Sequence, residues 1–264
     1  MQGIKEKIQE LILKYNDFIK ISLSIYDKNY YNLLKSDGTL LLDEWYDSIE
    51  KNGEYTVRVY KKGSGWAIFD TNGKRINDEW YADAVDFYNG FGVVYKNGLG
   101  WNFIKPDGTY LTNDWYDDAW SFDNGFAKVK KNGLGWKFIN TEGTLLLGDW
   151  YDDAWSFSNG FAKVKKNGLG WKFINTEGKY LSDEWYDWAW SFDNGLAKVK
   201  LTDKGWNFLN TNGKRINDEW YYSVTNFSED FAKVYKTEED YYNDVYYYLG
   251  TDGQLYDCNK QPLQ

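Results

Sequence analysis

The sequence predicts an all-β protein built from tandem 35-residue, four-stranded antiparallel meanders, and three observations predict it. Trp-Tyr recurs at Trp45-Tyr46, Trp80-Tyr81, Trp115-Tyr116, Trp150-Tyr151, Trp185-Tyr186 and Trp220-Tyr221, always 35 residues apart. Gly-Trp keeps the same interval at Trp66, Trp101, Trp136, Trp171 and Trp206. Turn glycines mark seven copies, at Gly38, Gly73, Gly108, Gly143, Gly178, Gly213 and Gly253. A fixed period in this range means one supersecondary unit copied in tandem.

Residues 116–150 serve as the type unit, and the copy at 151–185 differs from it at six positions. The first strand, Tyr116 to Phe122, sets Tyr116, Asp118, Trp120 and Phe122 on one face because side chains alternate along a strand. Asp123-Asn124-Gly125 turns the chain, with Gly125 free to take positive φ. The second strand, Phe126 to Lys130, alternates Phe126, Lys128 and Lys130 against Ala127 and Val129. Asn132-Gly133 then reads as a type I′ hairpin turn, which needs positive φ at both central residues. Trp136 to Ile139 form the third strand, Thr141-Glu142-Gly143 turn again, and Leu145 to Leu147 form the fourth.

The ends depart from this pattern. Ile4, Ile8, Leu11, Ile12 and Tyr15 follow helical spacing, with Glu10 and Lys14 as a supporting i,i+4 pair. This predicts an amphipathic helix over 1–17 in place of a seventh first strand, capping a repeat domain over 18–257. In the last copy the acidic, Tyr-rich stretch around Thr237 to Val245 adds five residues, and 258–264 form a polar tail. Such meanders either close into a propeller-like ring or stack as an open, capped β-solenoid or arc. Ring closure requires the chain to cross three strand spacings, roughly 14 Å. The five steps from Leu147 to Asp152 reach about 17 Å, so a ring is feasible but taut. The terminal helix argues instead for an open arc; the propeller-like ring is the expectation and the open arc its alternative.

Composition narrows the function. The net charge is −9 with no histidine, which opposes a nucleic-acid partner, since phosphate neutralisation needs a clustered basic surface. Lys128-Lys130, Lys163-Lys165 and Lys198-Lys200 alternate with apolar residues and read as a solvated strand face. The single Cys258 gives no disulfide framework and fits a reducing compartment. No signal-like or membrane-length apolar run occurs. The expectation is a cytoplasmic or otherwise soluble protein with no membrane partner.

At Gly135-Trp136, Phe138-Ile139, Gly143, Tyr151-Asp152, Phe157 and Gly160-Phe161-Ala162 the unit resembles the bacterial WG-repeat (KWG) family. The resemblance runs over about residues 31–255, although Trp150 and its equivalents replace the Pro- or Lys-containing link of many such repeats. It implies a tandem β-repeat of bacterial or phage origin used for binding, and it brings no catalytic mechanism.

The acids Glu44, Glu79, Asp114, Asp149, Glu184 and Glu219 precede each Trp-Tyr pair. They suggest Ca²⁺ ligands less than turn-capping or solvated carboxylates, because no run gathers several oxygens around a sharp glycine. A glycosidase pair would make one unit an outlier, whereas these carboxylates recur six times. Without histidine, Ser-His, Cys-His and His-ligated metal chemistry are excluded, and Cys258 sits in a polar tail. The sequence therefore calls for no cofactor, no metal and no catalytic residues. The candidate binding residues are aromatics that break the repeat. Trp120, Trp155 and Trp190 share a first-strand position held elsewhere by Glu50, Val85 and Thr225. Trp188 replaces the acid found as Asp118 and Asp153. These rings either pack between units or form a platform beside the carboxylates. The expected function is a non-enzymatic protein-binding scaffold with an acidic, aromatic-rich surface. The alternative is a lectin-like carbohydrate binder.

Overall fold

A computed structural model describes residues 8–15, 18–26, 28–51 and 56–263. The chain divides into two compact units, Met1–Lys131 with Thr141–Gly143, and Asn132–Asn140 with Thr144–Gln264. In the first unit, three antiparallel sheets follow in chain order. They are Ile8–Tyr15 with Phe18–Ile25 and Lys28–Leu34; Ser48–Lys51 with Thr56–Lys61 and Gly65–Asp70; and Asp83–Tyr88 with Phe91–Lys96 and Gly100–Ile104. Asp118–Ala119 then pairs with Phe126–Lys131. The second unit holds the strand Gly135–Asn140 and three further sheets. They are Asp153–Ala154 with Phe161–Lys166 and Gly170–Asn175; Trp188–Ala189 with Leu196–Leu201 and Gly205–Asn210; and Ser223–Val224 with Phe231–Tyr235, Tyr247–Gly250 and Leu255–Tyr256.

The expected N-terminal helix is corrected: Ile8–Tyr15 is a strand, paired from Ile8↔Leu23 to Tyr15↔Phe18. Residues 1–7 and 16–17 of that expectation lie outside the described residues. Apolar spacing over so short a run fits either period, and an isolated helix of this length is marginal. A strand, in contrast, satisfies the backbone groups along one edge of Phe18–Ile25. The first strand absent from the expected pattern is therefore present as Ile8–Tyr15.

The expected fourth strand is also corrected outside the final sheet. It shrinks to one bridge per repeat, as at Phe69↔Arg75, Ile104↔Tyr110, Ile139↔Leu145 and Ile174↔Tyr180. Seven residues separate Gly178 from the linking Tyr186, and among them Tyr180 alone forms a bridge back to the third strand. The link itself is a second bridge. Trp171 N–H donates to Tyr186 O (2.6 Å) and Tyr186 N–H to Trp171 O (2.8 Å), with equivalents at Trp66/Tyr81, Trp101/Tyr116, Trp136/Tyr151 and Trp206/Tyr221. Each repeat is thus stitched to the next at the two sequence markers, which fixes their 15-residue separation. Gly170 has φ +105°, and a Cβ there would collide with the Tyr186 carbonyl, so the residue before each indole has no room for a side chain.

The type I′ turn lies elsewhere than expected. Asn124 (φ 49°) and Gly125 (φ 83°) are both left-handed, and Asp123 and Phe126 exchange two backbone hydrogen bonds across them. At Asn132-Gly133 only the glycine has positive φ. There, in repeats that carry an acid after the linking tyrosine, that acid tightens the turn: Asp152 Oδ2 accepts from Asn167 N–H (2.7 Å), and Asp187 Oδ2 from Thr202 N–H (2.6 Å).

In both units the core is made by the linking tyrosines and the inward residues of the second and third strands. Tyr186, Ala197, Val199 and Leu209 form one such cluster, and Tyr81, Ala84, Val94 and Ile104 another. Buried Asn207 joins strand to link: its Nδ2 donates to Asn217 O (3.0 Å) and Glu219 O (2.6 Å), while Oδ1 accepts from Phe208 N–H. The extra residues of the last repeat form a short helix, Glu238–Tyr242, with a Thr237/Asp240 capping box.

Candidate functional site

Each candidate tryptophan stands where a first strand ends. Ala154 pairs with Val164, and Trp155 N–H then donates to Lys163 O (2.8 Å). Trp190 does the same with Lys198 O (2.9 Å), and Trp120 with Lys128 O (2.9 Å). Two residues later Phe122, Phe157 and Phe192 turn inward and are buried. The phenylalanines do the packing, which leaves Trp120, Trp155, Trp188 and Trp190 46–58% exposed.

In the second unit, Trp155 and Trp190 line one open cleft of about 550 Å³. Phe208 and Phe227 contribute to its lining, together with Ser158, Asn159, Asn226 and Asp193. Asn159 Nδ2 donates to Phe192 O (2.8 Å) and holds one wall to the other. Lys163 Nζ lies 4.4 Å from the Trp155 ring centre and 4.8 Å from that of Trp171, and donates to Ala189 O (3.0 Å). Lys198 Nζ lies 4.5 Å from Trp190 and 5.2 Å from Trp206, and donates to Asn226 Oδ1 (3.2 Å). Trp190 and Trp206 themselves meet at 5.1 Å, tilted by 48°.

These lysines correct the expectation of a solvated strand face. Their stems cross the indoles and only part of each side chain meets water. Burial lowers both ammonium pKa values; at Lys163 the nearby Asp153 works in the opposite sense, whereas at Lys198 burial acts alone. The sequence signal for them was the strand register, which sets a lysine across from each tryptophan.

The candidate acids are placed in the same register. Asp118 faces Lys130 and Asp153 faces Lys165, while Trp188 faces Lys200. Asp153, Trp155 and Lys163 are thus neighbours, whereas Trp188 does not line the cleft. In the first unit, Trp120 carries Lys128 Nζ at 4.6 Å from its ring centre. The acids before each Trp-Tyr pair meet a lysine of the following hairpin: Glu44–Lys61 and Asp149–Lys166 at 2.5 Å, Glu79–Lys96 at 2.8 Å and Glu219–Lys236 at 3.0 Å. Exposed pairs of this kind contribute little stability. No cluster of three metal-ligating side chains occurs among the described residues. No described helix is long and apolar enough to cross a membrane.

Comparison with known proteins bears on the repeat itself. Residues 116–134, 138–169 and 171–204 match the family described as WG containing repeat. No curated protein sequence matches the chain. Among solved structures, the chain is similar to the computationally designed Ika8 protein, at 12% identity with TM-score 0.38, covering 97% of this chain and 96% of that one. It is also similar to BamB from Moraxella catarrhalis, at 11% identity with TM-score 0.38, over 99% and 88% of the two chains. The WD40 β-propeller domain of Doa1 matches at 13% identity with TM-score 0.29, over 89% and 90%.

Proposed function

Taking residues 116–204 as a run of WG-containing repeats, we propose that the protein is a non-enzymatic interaction module that holds a partner protein on exposed tryptophans of successive repeats. The observation that carries this reading is the pair Trp155 and Trp190, each about half exposed over one cleft. Half-exposed indoles on a rigid sheet lose little conformational entropy on binding, and Trp is enriched among the residues that dominate interface energies. Trp188, Trp120, Asp118 and Asp153 extend the proposed surface along their repeats. Recurrence of an acid before each Trp-Tyr pair supports a binding rather than a catalytic role, because a catalytic pair is needed once.

The aromatic platform is basic at its centre, around Lys163 and Lys198, so the acidic character belongs to the remainder of the surface. We also propose closure of the sheets into a ring in a soluble, reducing setting; solution scattering with the profile of an elongated arc would overturn the ring. A second reading, a carbohydrate-binding module, draws on the volume of about 550 Å³, which lies in the range of small-ligand sites. Affinity capture with the native chain and with Trp155→Ala and Trp190→Ala tests the first reading. A captured protein lost in both variants is expected. Equal capture by all three chains sinks the reading, and glycan-array binding lost in both variants favours the second.

A further inference from the structure

One cation at the cleft lacks the acid that its equivalents Arg58 and Lys163 have, because both acid positions of its repeat carry tryptophan. Arg58 stands at the second-strand position equivalent to Lys163 and Lys198, and it forms an ion pair with Glu50 on the adjacent first strand. Lys163 has Asp153 nearby. In the next repeat, both first-strand positions that hold these acids carry tryptophan, Trp188 and Trp190. Among the described ion pairs, neither Lys163 nor Lys198 has a carboxylate partner, and Asp193 is the one carboxylate lining the cleft. The cation left without an acid is therefore Lys198, since Asp153 stands beside Lys163.

Each ammonium has three N–H donors. Lys163 uses one on Ala189 O and Lys198 one on Asn226 Oδ1, which leaves donors to spare in a half-desolvated setting. A partly buried cation without an anion is costly, and a bound anion offsets that cost through charge-assisted hydrogen bonds. A sugar ring presents hydroxyls that need donors and acceptors together, whereas a carboxylate only accepts. This donor-rich lining fits the latter.

We infer that the Trp155–Trp190 cleft takes a carboxylate side chain from an acidic peptide segment of the partner, seated between Lys163 and Lys198 with its methylenes against the indoles. The inference rests on the protein-binding reading above and names the chemistry of the partner. The chain's net charge of −9 does not prevent it. At physiological ionic strength the Debye length is about 8 Å, so acids farther away are largely screened while the two lysines act at contact.

The test titrates the full chain with a capped hexaglutamate peptide, its hexaglutamine counterpart and a galacturonic acid trimer, read by tryptophan fluorescence and calorimetry. Hexaglutamate is expected to bind, more weakly as salt rises, and hexaglutamine is expected not to. Lys198→Gln and Trp188→Asp are each expected to weaken hexaglutamate about tenfold. Trp188→Asp installs the residue that sibling repeats carry at Asp118 and Asp153 on an exposed site, so an unchanged melting temperature keeps the comparison valid if Lys198→Gln misfolds. Equal binding of the glutamate and glutamine peptides, equal affinity in both variants, or binding of the uronate alone each overturns the inference. Loss of the charge effect with Trp155-dependent capture intact refutes this inference only. Capture indifferent to Trp155 and Trp190 refutes the reading beneath it.

Discussion

Two tyrosines at equivalent positions should respond to the same substitution with opposite signs. Tyr221 and Tyr151 are both buried linking residues, 0% and 2% exposed. The Tyr221 hydroxyl accepts from Asn217 Nδ2 at 2.7 Å. The Tyr151 hydroxyl lies beside Tyr180 and Asp149 but makes no well-formed hydrogen bond within the protein. Its repeat carries Leu147 where others have Asn77 or Asn217, and Tyr180 turns its hydroxyl to Asp149 (3.3 Å) instead. Removing one hydroxyl costs almost no apolar burial at either site, so the hydrophobic term cancels in the comparison. Tyr221→Phe loses a hydrogen bond of about 1 kcal/mol net, whereas Tyr151→Phe removes an unsatisfied buried group whose penalty is about 1–3 kcal/mol. The variants should therefore differ by roughly 2 kcal/mol or more, Tyr151→Phe being neutral to stabilised and Tyr221→Phe destabilised. For a chain of this size each kcal/mol moves the melting temperature by about 2–4 °C, within reach of calorimetry. Urea unfolding with an unchanged m-value checks that the unfolded states match. If both variants lose the same stability, or Tyr151→Phe is the weaker, the reading of an unpartnered hydroxyl in the fourth link is wrong.

Two other outcomes follow from the same geometry. Gly170→Ala should cost about 2–4 kcal/mol in urea unfolding, from left-handed strain plus the broken Trp171–Tyr186 bridge. Gly168→Ala in the same hairpin, with φ +79° and nothing near its Cβ, should cost only about 1–2 kcal/mol; equal costs would refute the close approach. Burial also pushes the phenols of Tyr46, Tyr116 and Tyr221 up to about 12. These groups keep their protons in the folded state longer than in the unfolded one, where they ionise near 10. Their stabilisation is complete below pH 10 and is lost as pH rises through about 12. Unfolding free energy measured from pH 9 to 12 should fall steadily, alongside ionisation followed by phenolate absorbance; a flat profile would contradict the burial of these rings.

Legibility in the sequence tracked how local each determinant is. The all-β class, the repeat length and the second and third strands were readable because period-2 alternation and turn glycines act within a few residues. The link between repeats was marked but not understood: Trp-Tyr and Gly-Trp pair through backbone atoms that no side-chain pattern announces. Ile8–Tyr15 was misread because its apolar spacing serves two periods and only pairing with Phe18–Ile25 decides between them. Asn132-Gly133 and Asn124-Gly125 carry the same dipeptide, yet only the second makes a type I′ turn. Around the first, Asp117 or its equivalent and the following Gly135 reshape the loop. Trp155 and Trp190 could be selected as symmetry breakers, but not their lysines, whose alternation with apolar residues is also that of an exposed face.

The sequence by itself determined the copying of one antiparallel unit and which side chains depart from it, since both are properties of spacing along the chain. Only the tertiary structure decided that the phenylalanines two residues on would take the core and leave the tryptophans outward. It also decided that Trp188 would leave Lys198 without the acid its siblings have. Burial and charge compensation depend on which strands lie across from one another, and that pairing is fixed by folding rather than by neighbours in sequence.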